Sequence, residues 1–251
     1  VAGRLKIPVT TGNSYTVATA IEATREAARV MGHDLKKSSI VIMGATGAIG
    51  RVCALVLARE ARSITLVARN ERKLEELAAK ILFDTGLAVK VTSDSKKALQ
   101  NGDIIITVTS SEDTVIEPED LKRGAVVCDV ARPRDVSKRV AEVRDDVLVI
   151  EGGVVEVPGD VKFNLNFGFP PQTAYACMAE TMVLALEQRY ESYTLGRELT
   201  VRQVEEISQL AKKHGFKLSG FRSFGRALTG PEIEEIKFRA TGRRIIPVMA
   251  K

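Results

Sequence analysis

The apolar run Ile40 to Met43 passes through the turn GATGAIG, residues 44–50, into a pattern with Ile49, Val52, Cys53, Val56 and Leu57 on or near one helical face. Gly44, Gly47 and Gly50 stand where a strand must turn sharply, a pyrophosphate must approach bare backbone, and a helix must pack closely on a strand. The helix start adds N–H groups and partial positive charge. A purely structural glycine turn is the alternative. The strand before, the helix after and a second strand ending about twenty residues on favour a dinucleotide site. Gly44, Ala45, Thr46, Gly47, Ala48 and Ile49 are the residues expected to line it.

The end of that second strand, SITLVARN, bears on the choice of nucleotide. An acid there would bind a ribose 2′-hydroxyl, but Ala68, Arg69 and Asn70 occupy the position, followed by Arg72 and Lys73. Arg69 can pair a 2′-phosphate bidentately and Arg72 adds charge, so NADP is the expected cofactor. The competing reading makes these residues a solvated helix start. Thr109 and Ser110, closing the strand GDIIITVTSS, are expected beside the nicotinamide, unless they only cap the next turn.

Buried strands alternate with helical segments from residue 40 to 151 without a proline inside any strand. That pattern predicts an α/β fold, a doubly wound, mostly parallel sheet of the Rossmann type. Flanking helices are expected at 14–32, at 171–191 opened by Pro170 and Pro171, and at 200–214 ended by His214 and Gly215. One domain, residues 1–220, with a mobile tail at 221–251, is the expected organisation.

Three widely spaced cysteines without a CxxC pair, and two histidines, argue against disulfides, a zinc site or a His-rich metal cage. The longest uncharged run, residues 163–179, carries two asparagines, a glutamine and two prolines, so no membrane span is expected and a cytoplasmic location is. The net charge of +5 is scattered in small clusters, and with no Trp and twelve Phe plus Tyr there are few stacking platforms for nucleic acid. Anionic small molecules or an acidic protein suit this charge. A homo-oligomer is left open.

Cys177 is placed about two turns into the helix that follows the prolines. Its chemistry alone leaves it undecided between a small buried hydrophobe and a nucleophile. TTGNSYTVATAIEA (residues 10–23), VIMGATGAIG, VARN, EGGVVE (residues 151–156) and YACMAETMVLALE together resemble the long-chain acyl-acyl carrier protein reductases of cyanobacteria, over residues 10–215. More distantly, the layout is similar to shikimate dehydrogenase and glutamyl-tRNA reductase. The resemblance implies reduction of a fatty acyl thioester to an aldehyde with NADPH, with Cys177 as acyl acceptor and an acidic acyl carrier protein as partner. Gly153, where the strand 146–151 breaks, is expected near the cofactor and the oxyanion.

The family's lobe upstream of the TTGN segment has no counterpart here, so a fragment that binds NADPH well but reduces thioesters poorly is expected. Two other readings stand beside this one. One is a shikimate-dehydrogenase-like reductase of a ketone or hydroxy acid; the other is a non-catalytic NADP-binding module.

Overall fold

The computed structural model describes residues 2–164, 170–196 and 198–242. Helix α1 (Asn13–Met31) leads to β1 (Ile40–Met43), α2 (Ala48–Leu57), β2 (Ile64–Val67), α3 (Glu71–Thr85), β3 (Lys90–Thr92), α4 (Ser95–Gln100) and β4 (Ile104–Thr107). A 3-10 turn at Pro118–Asp120 precedes β5 (Val126–Asp129), α5 (Lys138–Val143) and β6 (Leu148–Glu151). These six strands form one wholly parallel sheet in the order β3-β2-β1-β4-β5-β6. The order reverses between β1 and β4, so a crevice opens at their carboxyl ends, where ligands of such sheets bind.

Sequence explains the layering. β1, β4, β5 and β6 are buried along their whole length, as strands covered on both faces must be. Helix α1 is buried nearly all round through Val17, Ala20, Ile21, Ala27 and Ala28, because it packs against α2, β5 and two later helices. Its end at Gly32, in the left-handed region, matches the expected stop, and α3 likewise ends at a left-handed Gly86.

Beyond β6 the chain departs from the simple alternation. Gly152 and Gly153 turn it into β7 (Val154–Glu156), which pairs antiparallel with β8 (Thr173–Tyr175). Helix α6 (Ala176–Leu186) starts directly after β8, and α7 (Val201–Lys213) comes next. Strand β9 (Lys217–Leu218) completes the small sheet on the other side of β7. The expected helix from residue 171 is therefore shortened. Residues 173–175 satisfy their backbone against β7, and Gln172 adopts a left-handed φ of 62°, so the prolines open a strand and not a helix.

The expected tail carries secondary structure over residues 221–242; residues 243–251 lie outside the described ones. Strands β10 (Arg222–Ser223) and β11 (Arg226–Ala227) form a hairpin, and α8 (Gly230–Ala240) stands behind a Thr229/Glu232 capping box. The hairpin is tied to the end of β6. Glu151, buried, accepts from the Gly225 amide at 2.8 Å and from Arg134 Nη2 at 2.6 Å. Arg123 donates to the Arg239 carbonyl and so holds the end of α8. No residue of α8 is fully buried, which is why its sequence carries so little amphipathic signal.

Glu151→Ala removes the acceptor of the Gly225 amide in the hairpin and takes from Arg134 its ion-pair partner. The expected cost is about 1–3 kcal/mol in urea unfolding, with loss of exchange protection at the Gly225 amide well before global unfolding.

Candidate active site

Gly44 has φ 73°, and a Cβ there would lie 2.7 Å from the Val108 carbonyl oxygen, so the glycine lets the turn touch the end of β4. A Cβ on Gly50 would lie 2.5 Å from the Gly44 carbonyl oxygen; its absence lets α2 close on β1. The amides of Gly44 and Ala45 bond the Val67 carbonyl, which fixes the turn against β2. Gly47, the N-cap of α2, has no side-chain acceptor for the first-turn N–H groups. These features fit a dinucleotide pyrophosphate: a tight turn, bare backbone and an uncapped helix start.

At the end of β2, Arg69 is exposed and, among the described residues, has no hydrogen-bond or ion-pair partner. Asn70 is occupied. Its side chain caps α3 by accepting from the Lys73 amide at 3.0 Å. Arg72 lies on the solvent face of α3, 3.3 Å from Glu76.

The loop after β4 is held from below by Asp135, a fully buried residue. Its carboxylate accepts from the Thr109 hydroxyl at 2.5 Å, the Thr109 amide at 3.0 Å and the Thr107 hydroxyl. Thr109 also accepts from the Ser111 amide, a local turn that leaves its hydroxyl engaged, while Ser110 is exposed. Asp129, at the end of β5, accepts from the Ala131 and Val136 amides and folds the 130–136 loop over itself. Burial raises its carboxyl to about 6; Val136 N–H lowers it, Asp135 raises it and Arg132 lowers it again.

Cys177 is the second residue of α6, not two turns inside a helix. The Ala176 amide bonds the Gly153 carbonyl at 2.8 Å, and Tyr175 pairs with Val154, so the turn after β6 delivers the cysteine to the carboxyl edge of the sheet. Gly153 thus contributes its carbonyl to α6, and its φ of 84° makes that turn possible. β6 stands three strand spacings from β1, roughly 14 Å at the usual interval.

The residue is exposed, yet partial burial of its sulfur raises the thiol above its ordinary range. The Met178 and Cys177 amides lower it, Glu180 raises it and Arg132 lowers it. The Arg132 guanidinium lies 5.9 Å from the ring centre of Tyr175, the residue that caps α6. Cys53 and Cys128 are fully buried, and burial raises both thiols, that of Cys128 to about 12.

Sequence reasoning did not single out Gly12, Arg132, Asp135 or Glu180. A Cβ on Gly12 would overlap the Cys177 Cα, so the TTGN segment is in backbone contact with the cysteine. The signal lay in the TTGN and ACMAE segments, which hold Gly12 and Glu180 beside the more conspicuous cysteine.

Fold and glycine turn together define a Rossmann domain of the NAD(P)-dependent oxidoreductase type. The sequence profile described as shikimate / quinate 5-dehydrogenase matches residues 25–151, just over half of the chain, and the chain belongs to that family. Aminotransferase PigE of Serratia sp. is 33% identical over 240 residues, covering 94% of this chain and 28% of that protein. A long-chain acyl-[acyl-carrier-protein] reductase of Synechococcus elongatus is 30% identical over 216 residues, 83% of this chain and 61% of that protein. Glutamyl-tRNA reductase of Flavobacterium psychrophilum is 24% identical over 199 residues, 73% of this chain and 45% of that protein. The chain thus spans between 28% and 61% of these relatives' length. Among the described residues no helix is long and apolar enough to cross a membrane.

Asp129 keeps its proton to about pH 6 in the folded chain and to about pH 4 when unfolded. Its contribution is therefore fully present below about pH 4 and is lost as pH rises through about 6. Relative to Asp129→Asn, the wild type is expected to lose up to about 3 kcal/mol across that window, read as a steeper fall of the urea midpoint.

Proposed function

We propose that the chain is the NADPH-dependent reductase unit of an acyl-thioester reductase that releases an aldehyde through an acyl-Cys177 enzyme. The observation that carries this reading is the position of Cys177: exposed, in the first turn of α6, at the same sheet edge as the glycine turn. A buried core cysteine would not serve, and Cys53 in α2 and Cys128 in β5 are of that kind. The likeness to the Synechococcus elongatus reductase reaches across Cys177, whereas the family match ends at residue 151.

The Cys177 thiolate attacks the thioester carbonyl; the new S–C bond forms as the carrier thiolate leaves and takes a proton from solvent. The N–H groups at the start of α6 and the Arg132 cation favour both the thiolate and the developing oxyanion. NADPH, when bound, would supply the hydride that converts the acyl group to an aldehyde, with Cys177 leaving as a thiolate. Gly44 to Ile49 would hold the pyrophosphate, and the loop carrying Thr109 and Ser110, fixed by Asp135, together with the Gly153 turn, would border the nicotinamide. Arg69, without a partner among the described residues at the end of β2, would meet the 2′-phosphate, with Arg72 adding charge from α3, and Asn70 shapes the start of α3. The positive excess suits an acidic carrier protein as the thioester donor.

Calorimetry is expected to show NADPH binding at least about tenfold more tightly than NADH, with Arg69→Ala erasing most of that margin. Equal affinities in the wild type end the NADP assignment.

Mass spectrometry after incubation with a long-chain acyl thioester is expected to find the acyl adduct on Cys177. Cys177→Ser should lose aldehyde formation while keeping NADPH affinity. Thiol-independent reduction of a ketone or hydroxy acid by that variant would favour the shikimate-dehydrogenase-like chemistry instead.

A further inference from the structure

One turn beyond Cys177 on α6, Glu180 is fully buried, and among the described residues no cation partners it. A carboxylate keeps its charge in such a place only if donors replace the lost water. Glu180 has four. Oε1 accepts from the Thr194 hydroxyl at 2.9 Å and from the Thr10 hydroxyl; Oε2 accepts from the Ser14 hydroxyl at 2.5 Å and the Tyr15 amide at 2.9 Å.

The last two partners belong to the first turn of α1. Its N-cap residue, Gly12, has no side chain to cap it, and the helix runs for 19 residues, so its positive end faces inward without a side-chain acceptor from its own cap. Glu180 supplies the acceptor from another helix. Oε1 meanwhile gathers the segment before α1 onto residue 194, where the Thr11 amide also bonds the Thr194 carbonyl at 2.9 Å. Between these two anchorages lies Gly12, whose backbone touches that of Cys177 so closely that a methyl group has no room.

We propose that Glu180 is the positioning residue of the Cys177 site: its carboxylate caps α1 from α6 and thereby fixes the Gly12 backbone against the first turn of α6. The role of Cys177 as acyl acceptor rests on the acyl-thioester reading, but the contact itself does not require it. The same carboxylate is a negative charge near the sulfur, with Arg132 opposing it from the loop after β5 and the Cys177 and Met178 amides opposing it from α6; Gly12 and its neighbours on α1 bring no charge to the thiol.

Glu180→Gln separates the roles. Its amide oxygen keeps the α1 cap, its NH2 turns to the Thr10 and Thr194 hydroxyls, which can accept, and the charge is lost. The pH dependence of Cys177 alkylation by iodoacetamide in the whole chain, read by peptide mass spectrometry, is the measurement. The midpoint is expected to fall by about half a pH unit or more in Glu180→Gln. The Thr10→Val/Ser14→Ala double variant keeps the charge and loosens the anchorage. In it the limiting alkylation rate at high pH and the single-turnover acylation rate should change by about threefold or more, with NADPH affinity unchanged. An unmoved midpoint in Glu180→Gln, or unmoved rates in the double variant, overturns the proposal. Should Glu180→Gln fail to fold, Glu180→Asp, charged but one methylene short, takes its place with the rates as readout and the same overturning result. A wild type that is alkylated but never acylated removes the acyl-enzyme reading and leaves the Glu180 result standing.

Discussion

The working edge of this protein depends on places where two stretches of backbone touch with no side chain between them. Gly44 against the end of β4, Gly50 against the glycine turn and Gly12 against Cys177 are contacts that a single Cβ would break. Glycine is disfavoured elsewhere because its unfolded freedom is costly to lose. Here its absent side chain brings three loop systems to one end of the sheet: the turn after β1, the segment before α1 and the first turn of α6. The sheet supplies rigidity, and these contacts decide what stands at its rim.

A second device keeps the rim in place. Asp129, Asp135, Glu151 and Glu180 are buried carboxylates, and of their described partners only Arg134, on Glu151, is an ion-pair cation. The others take backbone N–H groups and hydroxyls, which are directional and short in reach. A loop fixed by such bonds is fixed in position, whereas a long flexible cation would hold it loosely. Asp135 fixes the loop after β4, Asp129 the loop after β5, Glu151 the β10–β11 hairpin and Glu180 the start of α1. The cost of desolvation shows in the raised carboxyl of Asp129.

The parallel sheet was legible because its strands are uninterrupted apolar runs and its turn carries glycines at a spacing with one common use. The ends of α1 and α7 and the break at Gly152 and Gly153 were legible from capping and turn chemistry. The start of α6 was not. Pro170 and Pro171 read as a helix opening, but the pairing of β8 with β7 is a long-range contact, and nothing local in TAY announces it. That misplacement changed the chemistry, since it set Cys177 beyond reach of the helix N-terminus. The hairpin and α8 were missed because their anchorage is polar and nonlocal, through Glu151 and Arg123. Asn70, expected at the cofactor with Arg69, also caps α3, a role its residue type fits equally.

The family match stops at residue 151, where the parallel sheet ends, and the cysteine and its helix lie after it. The two halves meet through very little chain. Gly152 fits beneath Val130 and Cys128, Gly153 turns, and the pairing of Val154 with Tyr175 sets Cys177 close by, although it stands more than twenty residues further along the sequence. A nucleotide-binding sheet can therefore exchange the chemistry at its rim by altering the segment beyond β6 while β1 to β6 stay as they are. The contact between Gly12 and Cys177 limits that freedom, because it ties the segment before the sheet to the helix after it. Any chain that keeps this cysteine must keep a residue without a side chain facing it, a constraint that reaches across 165 positions of sequence and is enforced by backbone volume alone.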